Sequence, residues 1–125
     1  MEKRSSLPII EGSSFGKIVI DGITYDHDVV ITLSGKITKR KKKLSKKYFG
    51  TSHIISIEEA DFLYEKGMDE LIIGAGMNDS VTLSPEAENF FDRHKCTIHK
   101  APTPEAVEIY NSSVSRKVGL FHVTC

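Results

Sequence analysis

Apolar positions in the first half of the chain come in short runs bounded by turn residues, the pattern of β-strands. Lys17-Ile18-Val19-Ile20 and Ile23-Thr24-Tyr25 flank Asp21-Gly22, a dipeptide that supplies the positive φ angles of a two-residue hairpin turn. A second hairpin is predicted around Ser34-Gly35, with arms Val29 to Leu33 and Ile37 to Arg40. The run of basic residues that follows leads through Tyr48-Phe49-Gly50 into a loop.

In the second half the period lengthens. Ser56 and Glu59 have the spacing of a capping box, opening a helix to about Lys66 with Ile57, Ala60, Leu63 and Tyr64 on one face. Leu71-Ile72-Ile73 reads as a strand buried on both faces. Ser84-Pro85-Glu86-Ala87 and Thr103-Pro104-Glu105-Ala106 each place a hydroxyl at a helix N-cap, proline at the first helical position and an acid in the first turn. The helices they open carry Ala87, Phe90 and Phe91, and Ala106, Ile109 and Tyr110, at helical spacing. Cys96 to His99 and Val118 to Val123 supply the later strands. Strands alternating with helices predict an α/β fold: a central mixed sheet with helices packed on it, plus an N-terminal β-hairpin layer. Residues 1–14 are taken as an N-terminal extension and 15–125 as a single domain.

Composition adds little to this. The chain has 125 residues, 39% hydrophobic and 27% charged, which suits a domain with its own core. Two cysteines give no disulfide framework. The opening residues lack a signal-peptide pattern, and no run is long enough to cross a bilayer, so a cytoplasmic protein without membrane contact is expected. Charge is more informative. Net charge is zero, yet residues 36–47 carry +8, leaving −8 for the rest. This basic stripe could dock an acidic surface or touch nucleic-acid phosphates.

Candidate chemistry is sparse. Gly74-Ala75-Gly76 follows a strand, but Asp79 stands where a dinucleotide fingerprint needs its third glycine. Backbone amides around Gly74 and Gly76, or after Ser84, could still hold a simple anion. Asp26, His27, Asp28, His53 and His122 form a candidate polar cluster. With Cys125 they include enough ligand types for zinc or iron, but no pair has a strong metal-ligand spacing. Loop-fastening hydrogen bonds are the favoured role, and no metal or cofactor is expected. Ser52-His53 cannot act as a dyad, because sequence neighbours seldom orient for proton transfer. Cys96 reads as packing, and nothing activates Cys125.

Several short motifs occur in a family order: Leu71-Ile72-Ile73-Gly74-Ala75-Gly76, then Leu83-Ser84-Pro85-Glu86, then Thr103-Pro104-Glu105-Ala106 reaching Tyr110-Asn111. With Asp26-His27-Asp28, Gly50-Thr51-Ser52-His53 and His122-Val123-Thr124-Cys125, the chain resembles a small domain family, its archaeal branch above all. That family is shared by an adipogenesis-associated protein, a mitochondrial complex I assembly factor and many uncharacterised archaeal and bacterial proteins. The resemblance implies an α/β fold with a central mixed sheet and an extra β layer, and no known reaction. The family's eukaryotic members act in assembly or regulation through other proteins, and the assembly factor's role is not carried over, since no residue here is a known functional match.

Three readings follow. The leading one is a non-catalytic interaction or assembly domain that docks another protein through Lys39, Arg40, Lys41, Lys42 and Lys43. The alternative is a small-molecule or anion-binding protein, even an unrecognised enzyme, using the loop after strand 71–73. The third is weak nucleic-acid binding through 36–47, with nucleic acid not the expected partner. A deep pocket lined by His27, His53 or His122 would favour a ligand; a flat surface would favour a partner.

Overall fold

The computed structural model describes residues 7–125. Five strands form the central sheet, in the order Ile37–Lys39 (β5), Val29–Ile31 (β4), Lys117–His122 (β10), Glu70–Ala75 (β7) and Thr97–Ala101 (β9). The last three run parallel, whereas β4 is antiparallel to β10 and β5 to β4. The sheet is therefore mixed, as the sequence predicts.

Alternation along the strands assigns each face its own core. Leu71, Ile73, Val118 and Leu120 point to one side. There they meet Ala60 and Leu63 of helix Ile57–Leu63 (α2) and Ala87 and Phe91 of helix Pro85–Arg93 (α3). Ile72, Phe121, Val29 and Ile31 point to the other side, against Ala106 and Tyr110 of helix Thr103–Ser112 (α4). That second core is closed by Ile10, Ile18 and Ile20 from a separate antiparallel sheet of Ile10–Ser14 (β1), Lys17–Ile20 (β2) and Ile23–Tyr25 (β3). Leu71, Ile72 and Ile73 are fully buried, which is why this strand shows no polar alternation in sequence.

The Asp21-Gly22 turn has φ of 49° and 80°, the geometry its dipeptide predicts. The strand pairing with β2 begins at Ile10, ahead of the boundary placed at residue 15. Residues 10–14 thus belong to the fold, and 1–6 lie outside the described residues.

Other differences carry more physics. The basic run is not a plain connector: after β5 it turns into a short helix, Lys43–Phe49 (α1), ended by Gly50 at φ 72°. Helix α2 stops at Leu63 rather than Lys66. The two remaining short strands, Ile54–Ile55 (β6) and Thr82–Leu83 (β8), pair in parallel beside it. Ser84 caps α3 as expected, accepting from the Ala87 amide. Thr103 does not cap α4; its hydroxyl donates to His122 O (2.6 Å) and accepts from Gly76 N (2.9 Å).

Candidate functional site

Antiparallel pairing sets Phe121 opposite Val29. One step further along that register brings His122, at the end of β10, beside Asp28, just before β4. Both side chains are buried. Asp28 Oδ2 accepts from His122 Nδ1 (2.8 Å), and Oδ1 accepts from the Val123 amide (3.0 Å). Because a carboxylate can only accept, His122 presents Nδ1–H to it and turns Nε2 toward Thr124 Oγ1, 3.1 Å away.

Arg40 completes this network from the far end of β5. Its guanidinium donates to Asp28 Oδ2 (3.0 Å), to both carboxylate oxygens of Glu59 (2.7 and 3.0 Å) and to Ser52 O (2.8 Å). Ser45 of α1 donates to Glu59 as well. Burial alone would raise the Asp28 pKa. The His122 and Val123 hydrogen bonds and the charges of His122 and Arg40 outweigh it and hold the pKa at about 2. Burial likewise opposes the Arg40 charge, and Glu59 and Asp28 more than restore it. Two buried acids thus share one buried cation, an arrangement tolerable only with this degree of hydrogen bonding.

Beside this network His53 meets His122 edge-on, ring centroids 5.2 Å apart, and His53 Nε2 lies 3.9 Å from Cys125 Sγ. The chain around Cys125 is clipped in place, since Met77 N donates to Thr124 O (2.8 Å) and Asn78 N to Cys125 O (3.0 Å). Gly76 allows that approach. A β-carbon there would lie 2.3 Å from the Cys125 carbonyl carbon, and its φ of +94° is open chiefly to glycine.

Above Asp28 and Arg40 opens a cleft of about 570 Å³. Its walls are Asp26 and His27 on one side, Lys39, Lys41, Lys42, Lys43 and Lys46 on another, and Val123 and Thr124. Five ammonium groups face one exposed carboxylate, Asp26, and Lys42 Nζ also stands 3.8 Å from Asp28 Oδ2, so that Lys42 and Arg40 together balance the buried Asp28 and Glu59 beneath. A larger hollow of about 820 Å³ lies near α3 and β9, but there Glu88 and Asp92 offset Lys100 and no buried polar group converges.

The sequence candidates therefore sort differently from expectation. Asp28, His53 and His122 come together, whereas His27 turns its Nδ1 to Asp28 O (3.0 Å), packs against Tyr25 and lines the cleft with Asp26. Arg40 is 4% exposed, so it is no docking residue; Lys39, Lys41, Lys42 and Lys43 do line the open surface. Gly74, Gly76 and Ser84 do not line this cleft. The Gly76 amide is taken by Thr103 and the Ser84 amide by Ile55 O. A β-carbon on Gly74 would strike Phe121 and Thr103. Sequence reading missed Glu59 as a partner of Arg40. Its signal was its place in the capping box: Ser56 does accept from the Glu59 amide, but the Glu59 carboxylate reaches away to Arg40, leaving Ser45 Oγ to accept from Ser56 N.

Comparison with known proteins agrees with this fold. The conserved hypothetical protein PH1505 from Pyrococcus horikoshii OT3 is 38% identical, with a TM-score of 0.85 over 93% of this chain and 98% of that one. A structure named MT938 is 30% identical, with a TM-score of 0.78 over 94% and 99%. A Bordetella pertussis protein described as a Mth938-like domain shares the fold at 14% identity, with a TM-score of 0.66 over 98% and 90%. Residues 10–121 match the model of a protein family of unknown function, DUF498/DUF598, and the chain belongs to that family.

Proposed function

We propose that this domain binds a small anionic ligand in the lysine-lined cleft. The observation that carries this reading is the convergence of Lys39, Lys41, Lys42, Lys43 and Lys46 on one concavity of ligand-sized volume. The ion network of Asp28, Arg40 and Glu59 underlies it as a fixed floor. Low-dielectric walls focus the field of clustered cations and raise the local concentration of an anion. His27 on the cleft wall supports a ligand over a partner docked on a flat face.

The test is a melting-temperature screen at constant ionic strength with pyrophosphate, a nucleoside triphosphate and citrate, each against sodium chloride. A true ligand at about 100 times its Kd adds roughly 2.7 kcal/mol of stability. That gain should vanish in a Lys39→Gln/Lys42→Gln/Lys43→Gln variant that still folds. If no anion exceeds the salt control, the reading fails.

A second reading has its own support. Tyr48, Phe49 and Phe62 are exposed beside the lysines, with Lys41 Nζ 5.9 Å from the Phe62 ring centre and Lys47 Nζ 5.6 Å from that of Tyr48. Mixed aromatic and cationic surface suits an acidic protein partner, as does the resemblance to a domain found in a mitochondrial assembly factor and an adipogenesis-associated protein. A cytoplasmic setting fits either reading. Capture of a specific partner, weakened in both Phe62→Ser and the lysine triple variant while no anion exceeds the salt control, would place docking first.

A further inference from the structure

Outside the lysine cleft, three side chains with metal-ligating atoms meet at one point. His53 comes from the loop between α1 and β6, His122 from the end of β10, and Cys125 from the segment clipped to residues 76–78. One nitrogen from each imidazole and the Cys125 sulfur all lie within 4.8 Å of one another. We infer that His53, His122 and Cys125 form a binding site for one divalent transition-metal ion of the zinc type, with a fourth coordination position open.

The geometry is close to what such an ion needs. Bonds of about 2.0 Å to nitrogen and 2.3 Å to sulfur set tetrahedral ligand atoms roughly 3.3 to 3.6 Å apart. His53 Nε2 and Cys125 Sγ already stand at 3.9 Å, long for a hydrogen bond and short of the closure a shared ion would produce. His122 is buried and fixed, while His53 and Cys125 are half-buried. Small χ adjustments of those two therefore close the triangle.

The surroundings of His122 argue for a ligand more strongly than the distances do. Its Nδ1 donates to the Asp28 carboxylate, the carboxylate–histidine pairing that orients a metal-bound imidazole and raises its basicity. Asp28 is in turn held by Arg40 and the Val123 amide, so the pairing is fixed before any ion arrives. The remaining ring nitrogen, Nε2, faces Thr124 Oγ1, a hydroxyl that rotates aside easily. Two imidazoles with a thiolate suit a borderline-soft ion, not magnesium or calcium. On binding, Cys125 S–H breaks as S–metal forms, and one proton is released to solvent per ion.

Chelator-stripped full-length protein should take up one equivalent of Zn²⁺ in competition with a chromophoric chelator. Co²⁺ in its place should give a near-ultraviolet thiolate-to-metal absorption and intense visible bands of a four-coordinate ion. Cys125→Ser should abolish the near-ultraviolet band. Cys125→Ser and His53→Gln should each weaken Zn²⁺ binding at least about 100-fold, beyond the usual loss on removing an outer-shell partner. Cys96→Ala and the lysine triple variant should retain both signals, which separates this site from the cleft. Circular dichroism checks that each variant folds. The wild-type Co²⁺ spectrum stands on its own if one does not. Less than one equivalent of Zn²⁺, a Co²⁺ spectrum without the thiolate band, or unchanged binding in both ligand variants overturns the inference.

Discussion

Replacing Arg40 with glutamine removes the one cation that Asp28 and Glu59 share and shortens the side chain to about where the arginine Nε stands. Four donated bonds disappear together: one to Asp28, two to Glu59 and one to Ser52 O. Asp28 keeps His122 and the Val123 amide, but Glu59 keeps only Ser45 among these charge-bearing or hydroxyl partners. Breaking a buried ion pair by removing one member costs about 3–5 kcal/mol, because the abandoned charge stays desolvated. For a domain of this size that is a fall in Tm on the order of 10–20 °C. The assay is thermal and urea unfolding of Arg40→Gln beside Lys43→Gln. The lysine variant should stay within about 0.5 kcal/mol of wild type, since exposed charges contribute little. Adding Glu59→Gln to Arg40→Gln should recover at least about 1 kcal/mol, because it removes the stranded carboxylate. Equal stability of Arg40→Gln and Lys43→Gln would refute the reasoning, as would a double variant less stable than Arg40→Gln alone.

Gly22→Val should cost about 1–3 kcal/mol in chemical denaturation, because φ of +80° at this turn position resists a β-branched residue; an unchanged midpoint would reject the turn assignment. Tyr110 is fully buried with no partner for its hydroxyl among the described residues, and burial, then the Asp21 charge, push its pKa from 10.0 up to about 12. Since the folded value exceeds the unfolded one, ionisation of Tyr110 leaves stability untouched below pH 10 and lowers it by up to about 2–3 kcal/mol as pH rises from 10 through 12. Tyr110→Phe should leave stability at pH 7 unchanged or higher and flatten the alkaline limb of the Tm profile relative to wild type; an equally steep limb would exclude Tyr110 as its source.

Local signals in the sequence were legible where a local cause governs the structure. Asp21-Gly22 makes its turn, Ser84-Pro85 starts α3, and the apolar Leu71-Ile72-Ile73 becomes a strand covered on both faces. Thr103 failed because a tertiary demand overrode a local one: its hydroxyl joins β10 to the loop after β7 instead of capping its own helix. Glu59 failed for the same reason, its carboxylate drawn from the helix start to Arg40. The cluster of His53, His122 and Cys125 left no spacing to recognise, since its first member lies 72 residues before its last and only the β4–β10 register brings Asp28 to His122.

Arg40 is the instructive case, because the sequence did carry a sign of its role. Among the eight cations of residues 36–47 it is the single arginine. Lysine is a strongly hydrated point charge that suits an exposed run and gains little from burial. A guanidinium is more weakly hydrated, stays charged when desolvated and presents a planar fork to two acceptors at once. The position where the run departs from lysine is the position where it turns inward, between β5 and α1, to meet two carboxylates and a carbonyl. The lysines on either side then remain outside and share one surface, so the inward arginine both anchors the segment and shapes the cleft its neighbours line. Reversing the roles tests this directly. Arg40→Lys keeps the charge but loses the fork, so it should recover only part of the stability lost in Arg40→Gln, whereas Lys39→Arg should change stability by less than about 0.5 kcal/mol. If lysine at position 40 restores full stability, charge alone holds the network and the guanidinium geometry is incidental.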